Sequence, residues 1–230
     1  MIKITLKDGS VMEQEAGLSI YEIAQKISER LAKVATSALL NGKVVDLRTV
    51  LNEDCNLQIL TFDDEEGKGA YRHTTSHVMA QAIKRLFPNA KLAIGPSIEN
   101  GFYYDIDIDG TFSPEDLENI EKEMEKICKE DLPIERFTLS REEAIKLMKE
   151  REEPYKVELI EELPDGEEIS FYKQGDYVDL CAGPHLMSTG LVKAFKLTSS
   201  SGAYWRGDEH NKMLQRIYGT SFPKKADLDH

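Results

Sequence analysis

The chain has 230 residues, 40% of them hydrophobic and 31% charged, which is enough apolar material for a core in one large or two small domains. Its formal net charge of −13 argues against a generally basic nucleic-acid binder, and three cysteines, odd in number and scattered, exclude a disulfide framework and point to a reducing compartment. No stretch reads as a signal peptide or a bilayer span, so the expected location is the cytoplasm with no membrane partner.

The acidity is uneven. Residues 113–168 hold 20 acids and 9 bases, whereas residues 169–230 hold 6 acids and 8 bases, so phosphate binding in the last quarter stays open.

Residues 1–61 read as a small α+β domain. Ile2, Ile4 and Leu6 alternate before the turn Asp8-Gly9, and a second strand follows through Val11. Ser19 and Glu22 make a capping box, Leu18 can staple against Ile23, and Ile20, Ile23, Ala24, Ile27 and Leu31 form a helical stripe. Ala38–Leu40 and Leu57–Leu60 suggest further strands. Strand, strand, helix, strand, strand is the order of a β-grasp, ubiquitin-like module. Residues 62–70, with Asp63-Asp64-Glu65-Glu66-Gly67-Lys68-Gly69, read as a linker.

Residues 71–224 read as a larger α+β domain with an antiparallel or mixed sheet and flanking helices. A helix over Tyr71–Leu86 ends before Pro88 and carries His73 and His77 at i and i+4, on one face. Phe102, Tyr104, Ile106 and Ile108 alternate with polar or aromatic neighbours as a half-buried strand. Ser113-Pro114 and Ser140 open two capped helices. Strands are expected at Tyr155–Ile160, Ile169–Tyr172, Tyr177–Leu180, Val192–Leu197 and Ala203–Arg206.

Two clusters carry the candidate chemistry: His73-Thr74-Thr75-Ser76-His77 and Cys181-Ala182-Gly183-Pro184-His185. The first lacks the acidic residue of a His-Glu-x-x-His protease helix. In the second, Gly183 and Pro184 turn the chain between a thiol and an imidazole, a common ligand geometry, although a buried cysteine beside a loop-capping histidine has the same pattern. Three readings stay open. Four simultaneous zinc ligands make a closed structural site; three ligands with an open position make a catalytic one; with no metal, the same groups hold a water and a substrate. Lys156 in Pro154-Tyr155-Lys156-Val157, Asp179 and Tyr104 are further candidates, and Arg206 beside Trp205 could meet a phosphate. Cys128 and Cys55 read as core and loop residues.

The motifs His73-x-x-x-His77, Ala93-Ile94-Gly95-Pro96, Asn100-Gly101-Phe102-Tyr103-Tyr104-Asp105, Tyr155-Lys156-Val157, Tyr177-Val178-Asp179-x-Cys181-x-Gly183-Pro184-His185 and Gly202–Asp208 running on to Gln215–Thr220 resemble the bacterial threonyl-tRNA synthetase family. Residues 1–61 resemble its TGS module. The resemblance implies that residues 71–224 are an editing domain that hydrolyses seryl-tRNA made in error on the threonine tRNA, with the acceptor end of that tRNA as partner. It implies that residues 225–230 lead toward a class II core, where ATP and zinc would bind, and that this stretch alone makes no threonyl-tRNA. His73 and Lys156 are then expected to position water and stabilise charge, with His77, Cys181 and His185 completing the catalytic pocket. Asp179, Tyr104, Gly95 and Arg206 are expected to bind substrate. Editing is expected to need no cofactor, with zinc at His73, His77, Cys181 and His185 as the alternative. The whole enzyme is expected as a homodimer and this stretch as a monomer. A structural zinc domain or a non-catalytic tRNA-binding module is the competing reading.

Overall fold

The first 61 residues alternate, turn and cap as their sequence demands. In the computed structural model, which describes residues 1–230, β1 (Ile2–Leu6) buries Ile2 and Ile4 and pairs antiparallel with β2 (Val11–Gln14). After β3 (Leu18–Ser19), Ser19 opens α1 (Ile20–Ile27) with the expected capping box: its Oγ accepts the Glu22 N–H at 3.1 Å, and Glu22 Oε1 accepts the Ser19 N–H at 3.1 Å. The helix does not run unbroken to Leu31. Ser28 takes an extended conformation, ends α1 and caps α2 (Glu29–Val34), accepting the Leu31 N–H at 3.2 Å.

β4 (Ala35–Leu40), β5 (Lys43–Val45), β6 (Val50–Leu51) and β7 (Cys55–Thr61) complete a five-stranded sheet in the order β2-β1-β7-β4-β5, with β3 and β6 paired apart. β1 and β7 are parallel and central, so this is the β-grasp arrangement. Ile20, Ile23, Ile4, Ala38, Leu47 and Leu57 form its core. Contacts place Met1–Tyr71 together with the distant segment Gly183–Met187 in this unit, and Met187 packs on its core.

The second unit comprises Arg72–Ala182 and Ser188–His230. α3 spans Glu65–Leu86, so the expected linker is helical from Glu65 onward and only its first residues are a turn. Its central turns are buried almost all round, with Val78, Met79, Ala82 and Ile83 fully inaccessible. β8 (Lys91–Leu92) and β9 (Ser97–Ile98) both pair with β10 (Gly101–Asp107). Ser113 caps α4 (Pro114–Glu130) through a second capping box, and Ser140 caps α5 (Arg141–Glu150) after β11 (Ile134–Leu139).

Residues 155–160 are helix, not strand. α6 (Pro154–Glu162) begins with proline at its first turn, and its apolar side chains serve two neighbours. Val157 and Ile160 pack with Ala144 and Met148 of α5, while Tyr155 and Leu159 pack on Trp205. A helix apolar on two faces reads as alternation, which is how it mimics a strand.

β12 (Ile169–Gln174) and β13 (Tyr177–Leu180) form a three-stranded antiparallel sheet with β11. The two strands expected at 192–197 and 203–206 are one, β14 (Ala194–Tyr204), whose end gives way to a 3₁₀ turn at Trp205–Gly207. It pairs with β15 (Met213–Phe222) in the sheet β14-β15-β10-β8, and α7 (Lys225–Leu228) follows. No helix is long and apolar enough to cross a membrane.

Ile23 is fully buried in the first unit, so Ile23→Ala is expected to destabilise that unit by roughly 2–5 kcal/mol. Urea unfolding followed by far-UV circular dichroism measures it.

Candidate active site

The sheet register and α3 converge on one buried carboxylate. On β13, Tyr177 and Asp179 lie two apart and share a face. Asp179 is 2% exposed. Its Oδ2 accepts hydrogen bonds from the Tyr177 hydroxyl at 2.6 Å and from the Tyr104 hydroxyl of β10 at 2.7 Å, and His77 Nε2 of α3 lies 3.4 Å from the same oxygen. The buried Lys156 ammonium of α6 sits 2.8 Å from Oδ1 and donates to the Tyr104 hydroxyl at 2.9 Å. The Lys156–Oδ1 contact is an ion pair between two buried groups. Burying a lone carboxylate costs several kcal/mol, and here a cation and two hydroxyls offset that cost.

Beside this network stand the histidines. The rings of His73 and His77 meet edge-on with centroids 4.9 Å apart, and His77 meets Tyr177 the same way at 6.0 Å. Burial pushes His73 down to about 4; Asp179 opposes the shift and Lys156 adds to it. Burial also holds His77 well below the ordinary imidazole range, reinforced by His73 and Lys156. Both rings are therefore neutral near pH 7 and able to accept a hydrogen bond. Cys181 Sγ lies 3.5 Å from His73 Nε2. Burial and the Asp179 charge push the Tyr104 and Tyr177 hydroxyls well above 10, so both remain donors.

Several expected site residues take unexpected places. Tyr104 is fully buried, and its hydroxyl bridges Lys156 and Asp179 rather than standing open to a ligand. Gly95 is needed for close approach: a Cβ there would fall 2.1 Å from the Tyr104 ring. The Ser76 hydroxyl lies within hydrogen-bond distance of two carbonyls, His73 at 2.6 Å and Gly95 at 2.9 Å, and its one proton is shared between them. Arg206 stacks on Trp205 and forms ion pairs with Glu158 and Glu162, which compete with any phosphate role. His185 belongs to the first unit. It is fully buried; its N–H donates to Asp46 Oδ2 at 3.1 Å, and its carbonyl accepts from Arg48 at 3.0 Å. Gly183, at φ +77, makes the turn that precedes it.

Tyr177, Ser76 and Glu153 carry parts that the sequence reading did not assign. The i, i+2 spacing of Tyr177 and Asp179 on a strand was the available signal for the first. Serine one turn from a histidine gives no such signal.

The ring nitrogens and thiol of His73, His77 and Cys181 lie within 4.8 Å of one another. This donor set fits zinc in chemistry. The carboxylate beside His77 is the kind of partner that orients a ligating imidazole.

Comparison with known proteins agrees with these features. Residues 169–218 match the family described as threonyl and alanyl tRNA synthetase second additional domain, and residues 2–61 match the TGS domain. The chain is 70% identical over 229 residues to a threonine–tRNA ligase of Acetivibrio thermocellus, and 67% identical over 229 residues to that of Clostridium tetani. It is 66% identical over 226 residues to the threonine–tRNA ligase of Caldanaerobacter subterraneus subsp. tengcongensis. These matches cover 98–100% of this chain but 35–36% of each relative, so the chain spans about a third of their length.

Two outcomes follow from the buried network. Lys156→Met strands Asp179 and is expected to cost about 3–5 kcal/mol, while adding Asp179→Asn recovers part of the loss; a double-mutant cycle by urea unfolding checks both. The histidines resist protonation in the folded state, so the stability they contribute is present above pH 6.5 and is lost as pH falls toward about 4. Unfolding free energies measured across pH 4–7 should rise with pH, and a His73→Gln variant should flatten that rise.

Proposed function

We propose that this chain, which carries the TGS and editing-type domains of the threonyl-tRNA synthetase N-terminal region, hydrolyses the ester of seryl-tRNA made in error on the threonine tRNA. The observation that carries the reading is a buried lysine–aspartate pair next to two neutral imidazoles. That set offers charge stabilisation and water binding in one place.

The chemistry requires water to attack the ester carbonyl, with negative charge developing on the carbonyl oxygen and the ribose oxygen of the tRNA leaving as a hydroxyl. His73 is neutral, so it can accept a hydrogen bond from the water. With a pKa of about 4 it orients that water rather than storing its proton. The Lys156 ammonium supplies positive charge for the developing oxyanion. Asp179 is the anionic group assigned to the substrate ammonium, and the two tyrosines hold its carboxylate in place. The proton lost by water ends on the leaving ribose oxygen.

Such a second site answers a physical limit. Serine lacks one methyl of threonine, and a synthetic pocket discriminates against that loss by only roughly 1–3 kcal/mol. A pocket that accepts serine and clashes with the extra methyl excludes the correct product instead.

The donor set favours one further reading. His73, His77 and Cys181 would hold zinc as three ligands, and the metal, with one position left open, would supply a Lewis acid and a bound water. Elemental analysis of protein purified without chelator distinguishes the two. A stoichiometric zinc whose removal abolishes hydrolysis while the protein stays folded would establish the metal reading, and one whose removal unfolds the protein would mark a structural zinc.

The chain is expected to release serine from seryl-tRNA while largely sparing threonyl-tRNA, and His73→Ala is expected to slow release by about 10²-fold. Folded protein that leaves seryl-tRNA intact in a deacylation assay would remove the hydrolytic reading.

A further inference from the structure

We infer that Glu153 is a positioning residue for Lys156, its carboxyl pinning the first turn of α6 to β8 and α3. This rests on the hydrolytic reading above, in which Lys156 acts on the substrate. Glu153 is 6% exposed, a costly place for a carboxylate unless it is used. Its Oε1 accepts the Leu92 N–H of β8 at 3.2 Å, and its Oε2 faces the Lys84 Nζ of α3 at 3.8 Å. The residue stands just before Pro154, where the helix bearing Lys156 begins, and that helix start lacks a side-chain cap of its own.

The joint leading into it is tight. Glu152 takes φ +56, Glu153 N–H donates to the Met148 carbonyl at 2.9 Å, and the Glu153 carbonyl accepts the Val157 N–H at 3.2 Å. The carboxyl is thus the side-chain clamp at the point where α6 leaves α5. Lys156 lies three residues on, with its ammonium needed within 2.8 Å of Asp179. A shift of the first turn by a fraction of an ångström moves that ammonium off both Asp179 and Tyr104.

The clamp can also change state. Glu153 lines a cleft of about 430 Å³ with Gln81, Lys84, Arg151 and Tyr177, which gives it an open route to solvent protons. Burial raises it to about 7, opposed by Lys84, the Leu92 N–H and Lys156, and reinforced by Asp179. The other charged groups nearby are Lys91 on β8, the adjacent Glu152, and Arg85, Arg151 and Asp176 lining the cleft. The carboxylate holds the Lys84 contact and the carboxylic acid weakens it, so the clamp tightens as pH rises through about 7.

The test uses the whole 230-residue chain, with Lys156 side-chain NMR signals and seryl-tRNA hydrolysis followed from pH 5.5 to 8.5 in wild type, Glu153→Gln and Glu153→Ala. Expected in wild type is a Lys156 signal that moves with an inflection near pH 7. Expected in Glu153→Gln, which keeps an acceptor for Leu92 but cannot ionise, is a folded protein without that inflection. Expected in Glu153→Ala is a displaced Lys156 signal, with kcat lowered about tenfold and KM within about twofold, the scale of one lost charged hydrogen bond. Lys156 signals in Glu153→Gln and Glu153→Ala that superpose on wild type at every pH would overturn the inference. If wild type hydrolyses nothing, the hydrolytic reading fails, while the Lys156 signals still decide whether Glu153 positions that side chain.

Discussion

One buried carboxylate organises the second unit. Asp179 sits in a region where an unpaired charge is intolerable, so it must collect partners, and each comes from a different element. Tyr104 arrives on β10, Lys156 on α6, His77 on α3, and Tyr177 from its own strand. These groups meet within hydrogen-bonding or ion-pair distance only when α3, α6 and the two sheets are docked in one arrangement. A greasy core tolerates small slips in packing, whereas a buried ion pair with directional hydroxyl donors does not.

The same electrostatics sets the state of the histidines. Burial and the Lys156 charge both disfavour imidazolium, and the Asp179 charge is too fully engaged to reverse this. Two neutral rings beside a thiol are competent to bind a water or a metal, and the first property does not exclude the second. The paired charges below them are what distinguish this cluster from a bare ligand set.

The β-grasp unit depends on ordinary hydrophobic burial, with Ile4, Ile20, Ile23, Leu47 and Leu57 at its centre. Arg48 adds a polar clasp to it. That guanidinium pairs with Asp46 at 2.9 Å and donates to the carbonyls of His185 and Leu186. Residues 185 and 186, far along the chain, are therefore tied into the first unit by hydrogen bonds between their main chain and the side chains of Arg48 and Asp46, which no reading of local pattern would suggest.

Whatever depends on neighbours in the chain is legible in the amino-acid order. The capping box at Ser19, the helix start at Ser113-Pro114, the period-two run through Phe102–Ile106 and the four-residue histidine spacing are local, and each took its expected form, whereas at Ser140 the cap forms but Glu143 bonds the serine hydroxyl instead of closing a box. The motif set also identified the chain's relatives. Local pattern misled where a side chain answers to more than one partner. α6 packs apolar residues on two neighbours and so imitates alternation, and the polar run at 65–70 is helical although its composition suggests a linker. Three-dimensional packing alone reveals that Tyr104 is a bridge between charges, that Tyr177 is a donor to Asp179, and that Glu153 accepts from Leu92 of β8. Those roles arise from partners tens of residues away, whose meeting is set by sheet register and helix docking, and a linear pattern contains no term for either.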